Sequence, residues 1–496
     1  MDISIVILII ILLIDGYFLF AWLMLTLGSW QTTKELLQED KRSKKKQLDK
    51  QDFFITLLLP VLREQNVIEE ALQYYKEIIP KNGYINICII TTQREEKEQV
   101  EKIALALKLY SSEDKVKAFN ILKNICTSHH QLHKIIFAES INPQLVTQKI
   151  AALRLKTTYE ICLALVKKYN VQFGINLFTI LNAPEEYAGK VGQMNYALKT
   201  AIKHYTAHDY VGVYDIDSRP HKNTISALIN CIKKRKQKQL KPATIYQQVA
   251  SYTKNLATFS GLNGLLSIAD ALGQTRWAIG FEYCLLKAYS LAVAKALNRP
   301  LTYCIGHGCF VQLDFLLAHQ GFPTQSPNDD LALGYLASYL GEEIAPIPCL
   351  DVCDGAPNAL KSILQSRFWY YGSARFSQDI AFYTKVYGNN NITFIQRITF
   401  LLQGGHLRNI AWAWRGYFAL IASILTIIIS NNWSIILPIT LISIDCYIIL
   451  GHLQTIYLLS KIQASYGSNK SILSLTGILL STLLAPFFVI PFLLWN

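Results

Sequence analysis

The 496-residue chain is poor in charge: 17% of its residues are Asp, Glu, Lys or Arg, whereas 51% are apolar. Soluble domains average about 25% charged residues. The low share of charged residues therefore disfavours an entirely water-soluble protein, and part of the chain is expected in lipid. At roughly 150 residues for each domain, the length allows two or three domains.

Two recognition patterns are also absent. The lone Gly189-Lys190 pair lacks the phosphate-loop spacing GxxxxGK[ST]. No nucleic-acid recognition module accompanies the net charge of +13, so nucleic acid is not an expected partner. The basic runs at 34–50 and 233–241 are then solvated faces or, alternatively, surfaces attracted to anionic lipid headgroups.

The ten cysteines include no CxxC pair of the kind that forms zinc knuckles. Cys304, Cys309, Cys349 and Cys353, with His307, are a zinc alternative, but their spacings are CxxxxC and CxxxC. Buried thiols that pack as small hydrophobic side chains are the favoured interpretation. In a cytosolic setting they are expected to be reduced.

Long apolar runs predict four membrane spans, at residues 3–28, 412–430, 433–451 and 471–494. Lys and Arg follow the first span closely and do not precede it, which places residues 29–411 in the cytosol and both termini outside. The predicted location is an integral membrane protein, with a bacterial inner membrane as the expected membrane. The intramembrane Asp15 is a functional candidate by default; a hydrogen bond to a neighbouring helix is the favoured interpretation.

Apolar strand-like runs at 53–61, 85–92, 176–184 and 209–217 alternate with helical patterns. This alternation predicts an α/β fold with a mixed, mostly parallel sheet. Residues 95–172 exceed an ordinary crossover connection and read as a helical insertion. Ligands of such sheets bind at the carboxyl ends of the strands.

Five polar segments follow these strands in order: PVLRE (60–64), GKVGQMNYAL (189–198), DID (215–217), GHG…NDDLALG (306–334) and QSRFW (365–369). Each alone has a structural explanation, such as a solvated turn, a helix N-cap or an interfacial aromatic belt. Their order in one chain resembles the membrane-bound family 2 glycosyltransferases with a GT-A fold, which include cellulose and hyaluronan synthases and bacterial polysaccharide or glycolipid enzymes. QQVASYTKN (247–255) and QTRWAIGFE (274–282) are similar to the same segment in bacterial members.

The resemblance implies roles for individual residues on the donor side. Asp217 is the expected ligand of Mg²⁺ or Mn²⁺, and Asp215 contacts the nucleotide and assists the metal. Lys190 adds a positive charge near the phosphates, and Arg63 and Glu64 complete the donor side. The expected donor is a nucleotide sugar, with UDP as the default nucleotide.

The resemblance also implies the acceptor side. Asp330 is the expected general base for inverting transfer of a hexosyl or N-acetylhexosaminyl group, and Asp329 stands where relatives have Glu. The expected acceptor is a lipid-linked sugar, a glycolipid or a polysaccharide, with membrane lipids as further partners. The residues expected on the acceptor or diphosphate side are Trp277, His307, Gln365, Arg367 and Trp369.

Two positions depart from the family pattern. Thr91 and Thr92 stand where many relatives have an Asp pair that contacts the base. Phe368 occupies the arginine position of QxxRW, with Arg367 beside it, which weakens a processive-synthase assignment. The altered second-strand positions and the long insertion leave a catalytically inactive nucleotide-binding scaffold as an alternative. The four predicted spans and Asp15 leave a transporter or channel as another.

The predicted domain organisation follows from these assignments. It comprises an N-terminal span (1–28), a basic linker (29–52), a glycosyltransferase domain (53–375), an interfacial amphipathic segment (376–411) and a C-terminal membrane region (412–496).

Overall fold

The computed structural model describes residues 3–43, 53–79, 85–138, 143–173, 177–201, 209–289, 301–388, 393–406, 410, 414–429, 434–465 and 480. The chain divides into two compact units. We call residues 52–216 the parallel-sheet unit, and residues 1–51 with 217–496 the mixed-sheet unit. The division falls inside the Asp215-Ile216-Asp217 segment.

The parallel-sheet unit contains four strands: β1 (Ile55–Pro60), β2 (Ile85–Thr92), β3 (Phe178–Ala183) and β4 (Tyr210–Val213). Their order is β3, β2, β1, β4, and every adjacent pair is parallel. β1 and β4 are buried along nearly their whole length, which explains their continuous apolar sequences. All four strands lie within the predicted runs, so the α/β prediction is confirmed.

Helices cover this sheet and fill the long connection after β2. They are α2 (Ile68–Ile78), α3 (Gln93–Ser111), α4 (Lys115–Leu122), α5 (His129–Ile136), α6 (Pro143–Leu153), α7 (Thr158–Phe173) and α8 (Gly189–Thr200). α3 to α6 share a small apolar core that includes Ala106, Leu122, Leu132 and Ile150. Residues 95–172, the expected helical insertion, are thus largely helical.

The mixed-sheet unit contains β5 (Arg219–Pro220), β6 (Ile245–Ser251), β7 (Cys309–Gln312) and β8 (Ile344–Val352), in the order β7, β6, β8, β5. β6 pairs antiparallel with β7 and parallel with β8, and β5 pairs antiparallel with β8. The helices near this sheet are α9 (Thr224–Gln237), α10 (Gly261–Trp277), α11 (Tyr283–Tyr289), α12 (Leu313–Ala318), α13 (Asp329–Leu340), α14 (Ala359–Ala374), α15 (Phe376–Tyr387) and α16 (Phe394–Gly405). A π-helical turn, Ala278–Glu282, joins α10 to α11.

The longest helix of this unit is α1 (Ile3–Ser43). It continues well past residue 28, where the sequence analysis ended the first span, so residues 29–43 are not a linker. Thr32, Leu36, Glu39 and Asp40 on this extension are buried. These side chains bury one side of the extension against the rest of the unit. This packing explains why the helix continues past the predicted boundary.

Two helical segments of the described chain are long and apolar enough to cross a membrane, Ile3–Arg42 and Ile436–Ile462. The second comprises α18 (Ile436–Asp445), a π-helical turn (Cys446–Leu450) and α19 (Gly451–Ser465). They correspond to the predicted spans 3–28 and 433–451. The predicted span 412–430 is not among them: its described part, α17 (Arg415–Ile429), is about 22 Å long, shorter than the ~30 Å hydrocarbon layer. Among the described residues the prediction of four spans is therefore corrected to two candidates. The fourth, 471–494, lies outside the described residues except for Leu480.

Asp15 lies buried between α1 and α18. Its Oδ2 accepts a hydrogen bond from the Thr440 hydroxyl at 2.8 Å, and its Oδ1 accepts one from Ser443 at 2.9 Å. A buried carboxyl group needs such donors wherever it lies. The contacts confirm the expected hydrogen bonds to a neighbouring helix and make Asp15 a link between α1 and α18.

Candidate functional site

In the parallel-sheet unit, Lys190 and Asp215 meet at the carboxyl ends of the strands. Lys190 lies in the first turn of α8, which begins at Gly189 with a φ of +78°, and Asp215 follows β4 by two residues. Lys190 Nζ donates to Asp215 Oδ1 at 2.6 Å. Two expected donor-side residues, 25 positions apart, are therefore in contact.

Gln193, one turn after Lys190, anchors the start of α8 to the sheet. Its buried Nε2 donates to the carbonyl oxygens of Val61 at 3.1 Å and Ile90 at 2.8 Å, near the ends of β1 and β2. The amide thus holds the helix N-terminus, with its exposed N–H groups and positive dipole end, over this edge. Sequence analysis missed Gln193, although a polar residue on the inner side of an amphipathic helix is a usable signal.

Arg63 and Glu64 follow β1, as predicted, and their contacts are with the loop after β1 and with α3. Arg63 has a left-handed backbone, φ 58°, and its guanidinium contacts Glu98 of α3. The Glu64 carbonyl oxygen accepts the N–H groups of Val67 and Ile68, both at 3.1 Å, at the start of α2. Glu64 thus supports the loop after β1, while Arg63 forms an ion pair with the helical insertion.

The two threonines that replace the family's acids have structural partners. Thr91 is buried, and its hydroxyl lies 3.1 Å from both the Leu181 carbonyl oxygen and Asn182 Oδ1 on β3. The Thr92 hydroxyl accepts the N–H of Arg94 at 3.3 Å and caps α3. These positions stabilise the sheet edge and the helix start.

In the mixed-sheet unit, Asp217 lies beside the end of β8. Its Oδ2 accepts the backbone N–H of Asp354 at 3.1 Å. The Asp354 carboxylate pairs in turn with Lys254 Nζ at 3.2 Å. A backbone donor holds the Asp217 carboxylate in place, and Lys254 of the QQVASYTKN segment balances its acidic neighbour.

Asp330 lies in the first turn of α13, where a carboxylate is favoured by the helix dipole. Its Oδ1 accepts the N–H of Leu331 at 2.8 Å. The NDDLALG and QSRFWYYG segments meet here, because an added Cβ on Gly372 of α14 would lie 2.4 Å from Asn328 Cγ. The helix that carries Gln365, Arg367 and Trp369 is therefore packed against the residue that precedes the two acids.

Gly334, one turn after Asp330, gives a test of how closely α13 approaches the backbone at Tyr303 and Cys304. An added Cβ would lie 2.2 Å from Tyr303 Cα and 2.5 Å from the Cys304 nitrogen, whereas one on Gly273 of α10 would meet nothing within 4 Å. We expect Gly334→Ala to lower the free energy of unfolding by about 1–3 kcal/mol. Gly273→Ala should be neutral or stabilising by up to about 1 kcal/mol. Thermal melts of both variants in detergent check this, and equal melting temperatures would contradict the close approach.

His307 lies buried in a polar cluster with two residues of the β8 end. Its Nδ1 lies 2.7 Å from Asp351 Oδ2, and its Nε2 lies 3.8 Å from Cys353 Sγ. Burial lowers the pKa of His307, but the hydrogen bonds to Cys353 and Asp351 and the negative charge of Asp351 outweigh it and raise that pKa well above its ordinary value. Burial raises the pKa of Cys353 to about 11, so this thiol is not a nucleophile at neutral pH.

Aromatic rings connect His307 with Trp369. The Tyr252 ring centroid lies 6.0 Å from that of His307 and 5.8 Å from that of Trp369. Tyr252 N donates to the Thr275 hydroxyl at 3.0 Å, and the Gln247 amide donates to the His307 carbonyl oxygen at 2.9 Å. The QQVASYTKN segment thus contacts three other predicted segments of this unit, those of Thr275, His307 and Trp369.

Trp277 takes part in a hydrogen-bond chain that the sequence did not reveal. Its Nε1 donates to the Tyr303 hydroxyl at 3.1 Å, and that hydroxyl donates to Glu282 Oε1 at 2.9 Å. Glu282 ends the π-helical turn, which α1 holds: the Thr32 hydroxyl donates to the Ile279 carbonyl oxygen at 2.7 Å. π-Turns within helices are frequent at functional sites.

Burial raises the pKa of Glu282 to about 7; the Tyr303 hydrogen bond and His307 oppose the rise and Asp330 adds to it. The folded protein keeps this proton to a higher pH than the unfolded chain does. The free energy of unfolding should therefore fall as the pH rises from 4.5 to 7. The loss is at most about 3 kcal/mol, at roughly 1.4 kcal/mol for each pH unit. We expect Glu282→Gln to flatten this decline in thermal melts. Tyr303→Phe should shift the decline to higher pH, and an unchanged slope in both variants would contradict the assignment.

The predicted Mg²⁺ or Mn²⁺ site has few candidate protein ligands. Within the described residues, no three His, Cys, Asp or Glu side chains are grouped so that they could hold an ion. The zinc alternative therefore finds no support among the described cysteines, which are free thiols. Mg²⁺ is typically held by one or two carboxylates plus substrate phosphates, a pattern that Asp217 fits.

No protein-family model matches the chain, and no curated protein matches it. Solved structures that match include a mannosyltransferase from Pyrobaculum calidifontis, PcManGT, in complex with GDP-mannose and Mn²⁺. It is 12% identical with a TM-score of 0.39, and the match covers 94% of this chain and 98% of that one. Residues 1–349 of Staphylococcus aureus TarS match at 11% identity and a TM-score of 0.34, over 83% of this chain and 92% of that one. Both scores lie below 0.5, a similarity from which the chemistry of this chain does not follow.

Proposed function

We propose that the chain is a membrane-embedded inverting glycosyltransferase of the family 2 type, which moves a sugar from a nucleotide sugar to a glycan or lipid-linked acceptor at the cytosolic face. The Lys190–Asp215 contact carries the proposal. It places an ammonium group at the carboxyl edge of a parallel sheet and at the N-terminus of α8, a setting that suits phosphate groups.

The donor roles follow from charge. Lys190 provides a positive point charge for the diphosphate, and Asp215, already paired with it, orients the ammonium group and contacts the nucleotide. Asp217 is then the carboxylate for Mg²⁺ or Mn²⁺. The cation, when bound, would neutralise the charge of the departing diphosphate. UDP remains the default nucleotide, and the hydroxyl groups of Thr91 and Thr92 make structural hydrogen bonds.

The acceptor roles belong to the mixed-sheet unit. Asp330 takes the proton from the acceptor hydroxyl as that oxygen attacks the anomeric carbon, which inverts its configuration. Trp277 and Trp369 offer ring faces for a sugar. Arg367 and Gln365 of α14 offer donors for oxygen atoms, and His307, which Asp351 holds in one orientation, lies on the same side of the proposed site.

A donor screen tests the proposal. Purified full-length protein in lipid, with Mn²⁺ or Mg²⁺, is incubated with a panel of nucleotide sugars, and released nucleotide is measured. We expect the wild-type protein to release nucleotide from one donor. Lys190→Gln should bind the nucleoside diphosphate roughly 10-fold or more weakly, because one charge-assisted contact is lost. Lys199→Gln, on the exposed side of the same helix, is the matched control. Metal-dependent nucleotide binding without release from any donor would favour the inactive scaffold.

A further inference from the structure

A buried arginine of the mixed-sheet unit lacks partners for most of its guanidinium group. Arg276 of α10 is 7% exposed, and its Nη1 donates to the Tyr447 carbonyl oxygen in the π-turn that precedes α19. Its Nε and Nη2 are buried and have no hydrogen-bond partner within the described residues. Buried N–H groups of a charged side chain are costly unless an acceptor meets them.

A second arginine approaches the same tyrosine. Arg415, the first residue of α17, donates from Nη1 to the Tyr447 hydroxyl at 3.3 Å, and its buried Nε also lacks a partner in the described part of the chain. The Arg276 guanidinium carbon lies 5.2 Å from the centroid of the Tyr447 ring. Two guanidinium groups therefore converge on one residue, with three unpaired nitrogen atoms between them.

The neighbouring groups leave this cluster positive. Asp270 is the acid that interacts electrostatically with Arg415, but its Oδ2 accepts a hydrogen bond from Gln274 at 2.7 Å. His452 is buried beside Arg276. One carboxyl group against two guanidinium groups leaves at least one positive charge, which favours an anion and gives no attraction for a cation or a neutral sugar.

The cluster lies beside the candidate membrane-spanning helices. Tyr447 belongs to the candidate span Ile436–Ile462, and its ring centroid lies 5.3 Å from that of Phe18 on α1, with the rings tilted at 57°. Arg415 begins the apolar helix α17. Trp414 and Tyr417 flank Arg415 with ring centroids 5.8 Å apart. Aromatic rings with an adjacent arginine are typical of the cytosolic membrane interface.

We propose that Arg276 and Arg415 bind a phosphate group, supplied by the headgroup of a membrane lipid. A guanidinium fork matches the oxygen atoms of phosphate in two parallel hydrogen bonds. Bound phosphate would join α10, α17 and the span 436–462. The site uses none of the residues assigned to the donor, the metal or the general base.

Ligand-dependent thermal stability of the full-length protein in detergent tests the proposal. The three probes are dioleoylphosphatidic acid, dioleoylglycerol, which has the same chains without phosphate, and inorganic phosphate. We expect phosphatidic acid to raise the melting temperature and dioleoylglycerol to leave it unchanged. An equal rise with inorganic phosphate at the same concentration would keep the phosphate site and reject the lipid as its source.

Variants assign the effect to the two arginines. Arg276→Met and Arg415→Met should each weaken phosphatidic acid binding by about 10-fold or more, since one guanidinium fork is lost. Arg276→Lys, which keeps the charge, should weaken it less. Without lipid, Arg276→Met should melt no lower than wild type, because a buried unpaired charge is removed. Arg397→Met, an exposed arginine of α16, is the control. A phosphatidic acid response that is absent in wild type, or equal in wild type and both methionine variants, would overturn the proposal.

Discussion

Replacing Asp330 with Asn should reduce sugar transfer by about 10²–10⁴-fold, the contribution that a positioned general base makes to catalysis. Asn has the same shape and can still accept the Leu331 N–H through its amide oxygen, but it cannot take a proton from the acceptor hydroxyl. The loss should appear in kcat, measured from initial rates with saturating donor in lipid. Nucleotide affinity should stay at the wild-type value.

Asp329→Asn is the matched control for this variant. Both acids lie in the first turn of α13, so both substitutions weaken the favourable interaction with the helix dipole to a similar extent. Because Asp329 has no proton-transfer role in the proposal, most of the activity should remain. If the two variants lose activity equally, Asp330 acts through the helix start and is not the base. Full activity in Asp330→Asn would remove the assignment outright.

The strands were predictable because burial on both faces leaves a direct mark in the sequence. β1 and β4 read as continuous apolar runs, and the acids that follow β4 mark its end. The Lys190–Asp215 contact was also within reach, since parallel strands bring their carboxyl ends to one edge. The order of polar segments along the chain therefore carried real spatial information about this unit.

Other features depend on contacts that leave no local pattern. Glu282 is important through Tyr303, 21 positions away, and through the turn that α1 holds. Asp351 is the single acid of an otherwise apolar strand, and the strand sequence gives no indication of the histidine that this acid orients. The extension of α1 past residue 28 was missed because its Lys residues indicated a solvated linker, although the other side of the helix is buried.

Glycines show the same limit from another direction. The sequence contains 25 of them, and nothing local separates Gly334 and Gly372, which permit backbone or side-chain approach, from Gly273, which faces open space. Only the packing of α13 against Tyr303 and of α14 against Asn328 makes the first two necessary. The segments that contain them were recognised by order along the chain, while the reason for their glycines came from the fold.

Replacing Asp217 with Asn should abolish metal-dependent donor binding, and sugar transfer with it. Asn can still accept the Asp354 N–H through its amide oxygen, so the local fold should persist. It lacks the negative charge that a hard cation requires of its protein ligand. Calorimetry with nucleotide diphosphate, with and without Mn²⁺, should show that Mn²⁺ no longer strengthens binding in the variant.

The comparison with Asp354→Asn separates a metal ligand from general negative charge in this region. That substitution removes a neighbouring carboxylate, which pairs with Lys254, and keeps the backbone donor to Asp217. Its Mn²⁺-stimulated nucleotide binding should stay close to wild type, whereas that of Asp217→Asn should fall to the level measured in chelator. Retained Mn²⁺ stimulation in Asp217→Asn would transfer the ligand role to Asp215. The Asp215–Lys190 ion pair would then have to open on donor binding. The reason is that one carboxylate cannot neutralise both the ammonium group and the cation at full strength.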